Sequence, residues 1–556
     1  MSRKWIQPLS AVLLLTVGVL VGFKVKDFSP VEVTDRELTR EENVKKFQSV
    51  VNRVADNYFK EVDVTEMVDN AIQGMLEKLD PHTFYIPPPD LKNITEQMQG
   101  SFEGIGVEFN IIEDTVLVVT PLSGGPSDRL GIMPGDRVIA VEGENVAGVG
   151  ISNSDVVKKL RGPKGSTVNV EIYRPGYPET LDFAIVRDKI PLNSVDFSYM
   201  MDEETGYLKV NRFSETTMRE FIEHLMRLKS EGMENLILDL RFNPGGYLEM
   251  AQMMADVFLK RGQMIVYTDG RISGTDKEYV ATSRLDQFEK GGLIVLINQG
   301  SASASEIVSG AVQDHDRGLV VGQRSFGKGL VQQQYQLLDG SAVRVVVSRY
   351  YTPAGRCIQK PFEEGEDAYN QEVAERFESG EIFHPDQIEF PDSLKFKTDH
   401  GRTVYGGGGI MPDVYVTPDT AGGSEYLRKL SNKNLFYRFA FRYAEGHEEL
   451  RNQYPTGMDF ALNYEVTEAL RNAFVDFGKE NDVEFDAEGL HTSRAIIDRN
   501  LKALLARQLY NDEGYYPALN SFDPVVQRAI QLMPKAVILA QTGQFEVPSF
   551  GDSTQD

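Results

Sequence analysis

The sequence predicts a multidomain α/β protein: N-terminal helices, a small β domain, an α/β core and a helical C-terminal region. Three observations lead there. At 556 residues the chain is too long for one hydrophobic core. Two continuous apolar runs, Asn235–Leu240 (NLILDL) and Leu293–Ile297 (LIVLI), each end in a glycine-containing turn that leads into a helical pattern. That is the signature of parallel strands buried on both faces. Between residues 101 and 188, by contrast, short β-type runs alternate with turns.

At the N-terminus, Ser2-Arg3-Lys4 precedes an apolar run from Leu9 to Phe23, a basic start and short hydrophobic stretch of the export-signal kind. No small-x-small cleavage site follows, and the run is shorter than an ideal span of ~20 residues. The expectation is a signal anchor over residues 1–25, tethering the chain to a membrane with the rest outside the cytoplasm, in a periplasm or cell envelope. Cleavage would instead leave a soluble, secreted protein, and the lysines after the run slightly oppose the anchored orientation. Residues 26–100 read as a helical region: Val44, Phe47, Val51, Val54 and Tyr58 share one face, and a second helical stretch runs from Thr65 to Leu79. Leu79-Asp80-Pro81-His82-Thr83 is a turn that stops it, with no catalytic part needed for His82.

Within residues 101–188 the β runs are Gly106–Ile112, Val116–Thr120, Arg137–Val141 and Thr167–Tyr173, interrupted by a helical piece, Asn153–Leu160. Arg161, just after it, is a fixed cation at a domain edge, either sensing the site or simply solvated. Residues 189–420 supply the α/β core, with a polar, acidic insertion at about 359–400. A lid, a docking element or, most simply, a long surface loop would account for it. Residues 421–556 are helical again: Ile497, Leu501, Leu504 and Leu505 make one apolar face, and Asp523-Pro524 opens another helix as N-cap and N1 proline. Packing or oligomerisation is the expected use.

Composition excludes several functions. With 83 acidic against 58 basic residues, a net charge of −25 and no basic run, no nucleic-acid partner is expected. The single cysteine, Cys357, rules out an intramolecular disulfide and a cysteine-rich zinc site. Seven histidines without HExxH-type spacing give a metal mechanism nothing to stand on, so no metal and no cofactor is expected.

Candidate chemistry gathers where LIVLI runs into Asn298-Gln299-Gly300 and then Ser301-Ala302-Ser303-Ala304-Ser305. These serines sit where a strand turns into a helix N-terminus. Unpaired N–H groups there favour negative charge and suit the oxyanion of an acyl-transfer intermediate. Ser303-x-x-Glu306 also fits a capping box, whose purpose is structural. Lys328, in Phe326-Gly327-Lys328-Gly329, is not part of a phosphate loop, because Gly329 stands where Ser or Thr would be required. Asp314 and His315 lie ~16 Å from Ser303 along the helix at 1.5 Å per residue, and make poor triad partners. The glycine pair in Arg241-Phe242-Asn243-Pro244-Gly245-Gly246 ends the NLILDL strand. Parallel strands end at one edge of a sheet, so the N–H of Gly245 or of Gly246 could join that of Ala304.

The run GSASASEI, followed by VVGQRSFGKGLVQ, resembles the signature of the carboxyl-terminal processing (tail-specific) serine peptidases, and the likeness extends from about Leu79 to Val416. It implies an α/β peptidase core of crotonase/Clp-like type. In it Ser303 would be the nucleophile, Lys328 the general base and Gln332 the residue that orients the lysine. It also supports an oxyanion hole of Ala304 with Gly245 or Gly246. Glu103-Gly104-Ile105-Gly106-Val107 resembles the carboxylate-binding loop of PDZ domains, and Gly131–Asp136 their downstream turn. A glycine loop exposes N–H groups that can hold a terminal carboxylate while the adjacent strand accepts the peptide as an extra strand. Gly104, Ile105, Gly106 and Val107 are therefore expected to bind the C-termini of protein or peptide substrates. Tyr350–Arg356 resembles a further family segment, which normally runs quickly into G-x-G-I-x-P-D; here that stretch waits until Gly407–Asp413, beyond the insertion. A homo-oligomer or an adaptor is left open. The competing reading, a catalytically inactive PDZ scaffold, expects the nucleophile or the base to be lost, yet Ser303 and Lys328 are both present.

Overall fold

The computed structural model describes residues 37–112, 114–122, 124–282, 287–362, 365–384, 388, 390–418 and 422–545. The expected anchor, Leu9–Phe23, lies outside them. No helix among the described residues is long and apolar enough to cross a membrane. The chain forms two units, Met1–Gly74 and Met75–Asp556. The first holds α1 (Arg40–Asn57) and most of α2 (Val64–Leu76). A capping box opens α1: Thr39 N–H donates to Glu42 at 2.8 Å and Glu42 N–H to Thr39 Oγ1 at 3.3 Å. No side chain of α1 is buried.

The second unit opens on the Pro81 turn, which Asp80 holds by accepting from His82 N–H (2.8 Å) and Thr83 Oγ1 (2.7 Å). Next come β1 (Phe84–Ile86) and α3 (Pro88–Met98). β1 lies inside the stretch expected to be helical, and it is a strand because Tyr85 and Ile86 bury against the core.

A small β domain follows: β2 (Ser101–Gly104), β3 (Val107–Ile112), β4 (Thr115–Pro121), β5 (Arg137–Val141), α4 (Asn153–Leu160), β6 (Thr167–Tyr173), β7 (Leu181–Val186) and β8 (Asp188–Pro191). β2 and β8 pair and close the segment at its base. The main sheet runs β3-β4-β5-β6-β7, leaving β3 at an edge. Its core joins Val116, Val118, Val138, Val168, Val170, Ile172 and Ile185 to Val156 and Leu160 of α4. Arg161 is not a solvated charge. Its guanidinium pairs with Glu96 of α3 at 2.8 Å and lies 4.4 Å from the Phe102 ring centroid.

The α/β core contains, in order, β9 (Val195–Met200), β10 (Thr205–Val210), α5 (Thr217–Ser230), β11 (Asn235–Asp239), α6 (Leu248–Asp256), β12 (Met264–Asp269), β13 (Lys277–Val280) and β14 (Leu293–Ile297). It continues through α7 (Ala304–Asp314), β15 (Leu319–Gly322), β16 (Leu330–Gln336), β17 (Ala342–Tyr351), α8 (Glu366–Glu378) and β18 (Val414–Tyr415). The central sheet runs β9-β10-β11-β14-β15-β18, parallel except at β9. Successive side chains point to opposite faces. Leu236, Leu238, Leu293, Val295 and Ile297 therefore pack on the side of α5, α6 and α7. Ile237, Ile294, Leu296, Leu319 and Val321 face the other way and are covered by α9 (Pro524–Thr542). A second sheet, β1-β17-β12-β13 with β16 on β17, stands beside the site.

The insertion is not a surface loop. Its helix α8 buries Tyr369 and Arg376 behind the Gly327-Lys328 turn. Arg376 Nη1 donates to Ser325 O at 2.9 Å, and Lys360 Nζ lies 4.2 and 4.1 Å from the ring centroids of Phe326 and Tyr369. The acidic residues that make the segment look solvated are used as partners. Glu372 takes Arg376 and Lys360, and Glu381 takes Arg324. Helices between residues 425 and 520 form a core of their own, including Leu430, Phe439, Phe460, Phe474, Leu501 and Leu505.

Candidate active site

β11 and β14 are adjacent and parallel, so the turns after them meet at one edge of the sheet. After β14, Ser303 is the N-cap of α7 with φ 54° and ψ −109°, a strained backbone for a residue with a side chain. Hydrogen bonds hold it there. Ser303 N–H donates to Glu306 Oε2 at 2.7 Å, which is the Glu half of the expected capping box. The other two serines are committed elsewhere: Ser301 Oγ donates to Leu240 O and Ser305 Oγ to Asn243 O, both at 2.9 Å, and both residues are fully buried. Ser303 instead lines an open cleft of about 680 Å³ together with Gly246, Ile307, Leu330, Gln332, Arg344 and Tyr350.

Glu306 does more than cap a helix. Fully buried, it accepts from Ser303 N–H (2.7 Å) and Lys328 N–H (2.9 Å) on Oε2, and from Ser325 Oγ (2.6 Å) and Gly327 N–H (2.7 Å) on Oε1. Burial pushes its carboxyl pKa up, against those hydrogen bonds. Tyr350 closes the same frame from the carbonyl side, its hydroxyl donating to Ser303 O at 3.1 Å and to Lys328 O. One carboxylate and one phenol thus fix the backbones of Ser303 and Lys328 relative to each other. The sequence reading missed both roles; the only signal was the S-x-x-E spacing.

Lys328 Nζ donates to Gln332 Oε1 at 2.9 Å, and Gln332 Nε2 donates to His82 O at 2.5 Å. The backbone of the Pro81 turn therefore decides which way the Gln332 amide faces. Burial first, and the nearby Arg344 charge second, lower the Lys328 amine to about 8 from its usual 10.5. His82 is lowered to about 4, by burial and then by the Lys328 charge, and its Nε2 meets Tyr369 OH at 2.7 Å. No hydrogen bond joins Ser303 Oγ to Lys328 Nζ among the described residues. His315 is engaged with Asp399 and Met264 O, and Asp314 with Arg356, away from the serine.

The two glycines differ. Gly245 N–H donates to Asn243 Oδ1 at 2.9 Å, which removes it as an oxyanion donor. Its role is steric: at φ 98°, a Cβ there would lie 2.9 Å from both Ser303 Cβ and Ala304 N. The N–H groups of Gly246 and Ala304 have no partner among the described residues.

In the β domain, Ile105 O accepts from Ser127 N–H and Oγ at 3.1 and 2.7 Å, and Gly106 O accepts from Leu122 N–H at 2.9 Å. In a trans peptide C=O and N–H point oppositely. With those carbonyls turned inward, the N–H groups of Gly106 and Val107 face outward beside the open edge of β3. Gly106 has φ 75°, so a side chain there would strain the loop. Gly104 ends β2, paired with Asp188, and Ile105 is buried as an anchor rather than a contact surface.

Comparison with known proteins adds the lineage. Residues 204–365 match peptidase family S41, residues 104–185 a PDZ domain, and residues 23–88 the N-terminal domain of the activating protease CtpB. Residues 426–511 match a family of unknown function, DUF8443. A carboxy-terminal-processing protease of Bartonella bacilliformis is 34% identical over 352 residues, covering 63% of this chain and 80% of that protein. The carboxy-terminal processing proteases CtpB and CtpA of Bacillus subtilis are 35% and 33% identical over 324 and 323 residues. Each match covers 58% of this chain, and 66% and 68% of the respective relative. Fold and relatives together define a serine protease that carries a PDZ domain. The chain belongs to the carboxy-terminal-processing proteases of peptidase family S41.

Proposed function

We propose that this chain is an exported endopeptidase that cuts proteins near their C-terminal tails by a Ser303/Lys328 dyad. Residues 101–188 capture the tail, its carboxylate on the N–H groups of Gly106 and Val107, and residues 189–420 cut it. Ser303 Oγ attacks the scissile carbonyl while neutral Lys328 takes its proton; the N–H groups of Gly246 and Ala304 receive the oxyanion. Lys328 then gives that proton to the departing amine, leaving an acyl-Ser303 ester. A water, deprotonated by the same lysine, hydrolyses the ester. The lysine leaves Gln332 far enough to reach Ser303 once substrate is bound, a tightening common to catalytic pairs.

The observation that carries this reading is Lys328 itself. Its amine is brought down to about 8 on Gln332, which lines the same cleft as Ser303, and that partner is a neutral amide rather than a carboxylate, which would raise the pKa again. An unfolded protein with a defined tail, incubated with wild type and with Ser303→Ala, tests it. Wild type is expected to cleave, Ser303→Ala to be inactive with an unchanged fold, and an amidated tail to be cut less well. Activity that survives Ser303→Ala but disappears with Ser301→Ala or Ser305→Ala would refute the assignment. Export and anchoring rest on the Leu9–Phe23 run; a mature N-terminus near Lys26 on a soluble protein would refute the anchor.

A further inference from the structure

The cleft also holds a cation without a counter-ion. On β16, Gln332, Gln334 and Gln336 alternate onto one face, and their partners on β17, Val346, Arg344 and Ala342, share it. Arg344 is thus a diagonal neighbour of the glutamine that orients Lys328, about 7–8 Å along the hairpin. It is half-buried and lines the same cleft as Ser303. Its flanking strands offer it only Gln334, whose Oε1 accepts from Nη2 at 2.9 Å, and the Phe84 ring, 5.7 Å away. No carboxylate pairs with it among the described residues, and Glu249, the acidic side chain lining the cleft, forms no ion pair with it. Other enclosed arginines are matched: Arg241 with Asp239 and Asp523, Arg356 with Asp314, Arg402 with Asp316 and Asp413. Arg317 is met by backbone carbonyls. Enclosing a guanidinium strips part of its hydration, and one neutral hydrogen bond returns little of it. A carboxylate matches its fork with two charge-assisted bonds.

We propose that Arg344 receives a carboxylate of the substrate, making it a specificity-determining residue of the cleft. The carboxylate comes from an acidic side chain near the scissile bond, because the chain terminus is held on Gly106 and Val107 in the reading above. The surrounding glutamines suit this, since no resident carboxylate is paired with the guanidinium. In a protein of net charge −25, acidic segments are repelled in general, so a local cation is what would admit one. The idea rests on the cleavage reading above, and the test keeps the two apart. Peptides with Glu walked through the positions flanking the cut are compared with their Gln counterparts, all with the same free terminus. Cleavage of the neutral peptides by wild type but not Ser303→Ala secures the cleavage reading first.

One Glu position lowers KM about five- to tenfold against Gln, the size of one good charge pair. Arg344→Gln erases that difference, and Arg344→Lys restores part of it, because the charge remains while the fork is lost. Arg344→Gln also moves the pH profile upward for every peptide alike, so the Glu/Gln ratio of KM is the readout that a mere influence on Lys328 would not change. Should Arg344→Gln fail to fold, Arg344→Lys alone must reduce the ratio. Equal KM values for all wild-type pairs, or a preference that persists in both variants, would overturn the proposal.

Discussion

The carboxylate of Glu306 takes the N–H groups of Ser303 and Lys328 on a single oxygen, while the Tyr350 hydroxyl takes their carbonyls, so the two residues share one rigid frame. Glu306→Gln would put an amide NH₂ against donors it now satisfies. The expected cost is about 1–3 kcal/mol for each buried donor left unpaired. A thermal melt should show it, and kcat should fall at least about tenfold with little change in KM, the pattern for a disturbed transition-state geometry. Unaltered kcat would mean that the frame does not position the pair. Lys328 yields a second expectation. Its amine is lowered from 10.5 to about 8, so burying the ammonium destabilises the fold below pH 8, and that penalty fades as pH rises from 8 towards 10.5. Lys328→Met should therefore be more stable than wild type at pH 7, by up to ~3 kcal/mol, with the difference closing near pH 10. A less stable Lys328→Met at pH 7 would contradict the buried-ammonium account.

At the scale of elements, what the sequence disclosed depended on how far apart the partners lie. Ser303, Glu306 and Lys328 fall within one strand–turn–helix segment and its successor; spacing marks Ser303 and Glu306 as a capping box, and the family resemblance is what marks Ser303 and Lys328 for chemistry. Gln332 is different. Its orientation is set by the carbonyl of His82, a backbone group on a distant turn that no side-chain pattern identifies. Strand β1 carries only three residues, too few to show a period of two among helices. The insertion was unreadable for another reason: α8 buries a tyrosine and charged residues whose partners are carbonyls and one another, so it has no apolar stripe. Arg376→Ala removes donors from the carbonyls of Ser325 and Phe326 and leaves Glu372 short of a partner. It should lower the melting temperature by several degrees, from about 1–3 kcal/mol, and reduce kcat through the Lys328 turn. Unchanged melting and turnover would return the insertion to the status of a surface loop.

Across the whole molecule, the C-terminal region is part of the catalytic core rather than an appendage. Helix α9 packs on one face of the central sheet, over β11, β14 and β15. Its N-cap, Asp523, accepts from Val525 and Val526 N–H through Oδ1 and takes Arg241 Nη1 on Oδ2 at 2.7 Å. Arg241 opens the turn that carries Gly246, so the start of α9 is tied to the proposed oxyanion donors. Truncation after Thr420 would bare Ile237, Ile294, Leu296, Leu319 and Val321, and should give an aggregating product without a cooperative melt. A soluble, active truncation would disprove that dependence. The helices of residues 426–511 also reach the β domain, where Arg507 pairs with Glu108 on β3 at 3.1 Å.

The central claim is that a neutral Lys328 activates Ser303, and the pH dependence of kcat/KM for tail cleavage tests it most directly. Measured from pH 6 to 10, the wild-type value should rise through a single ionisation near 8, because only the deprotonated amine accepts the serine proton. Lys328→Arg should be inactive throughout, since a guanidinium stays protonated over that range. Substantial turnover by Lys328→Arg, or a rate that shows no ionisation near 8 and is lost with His315→Ala, would contradict it.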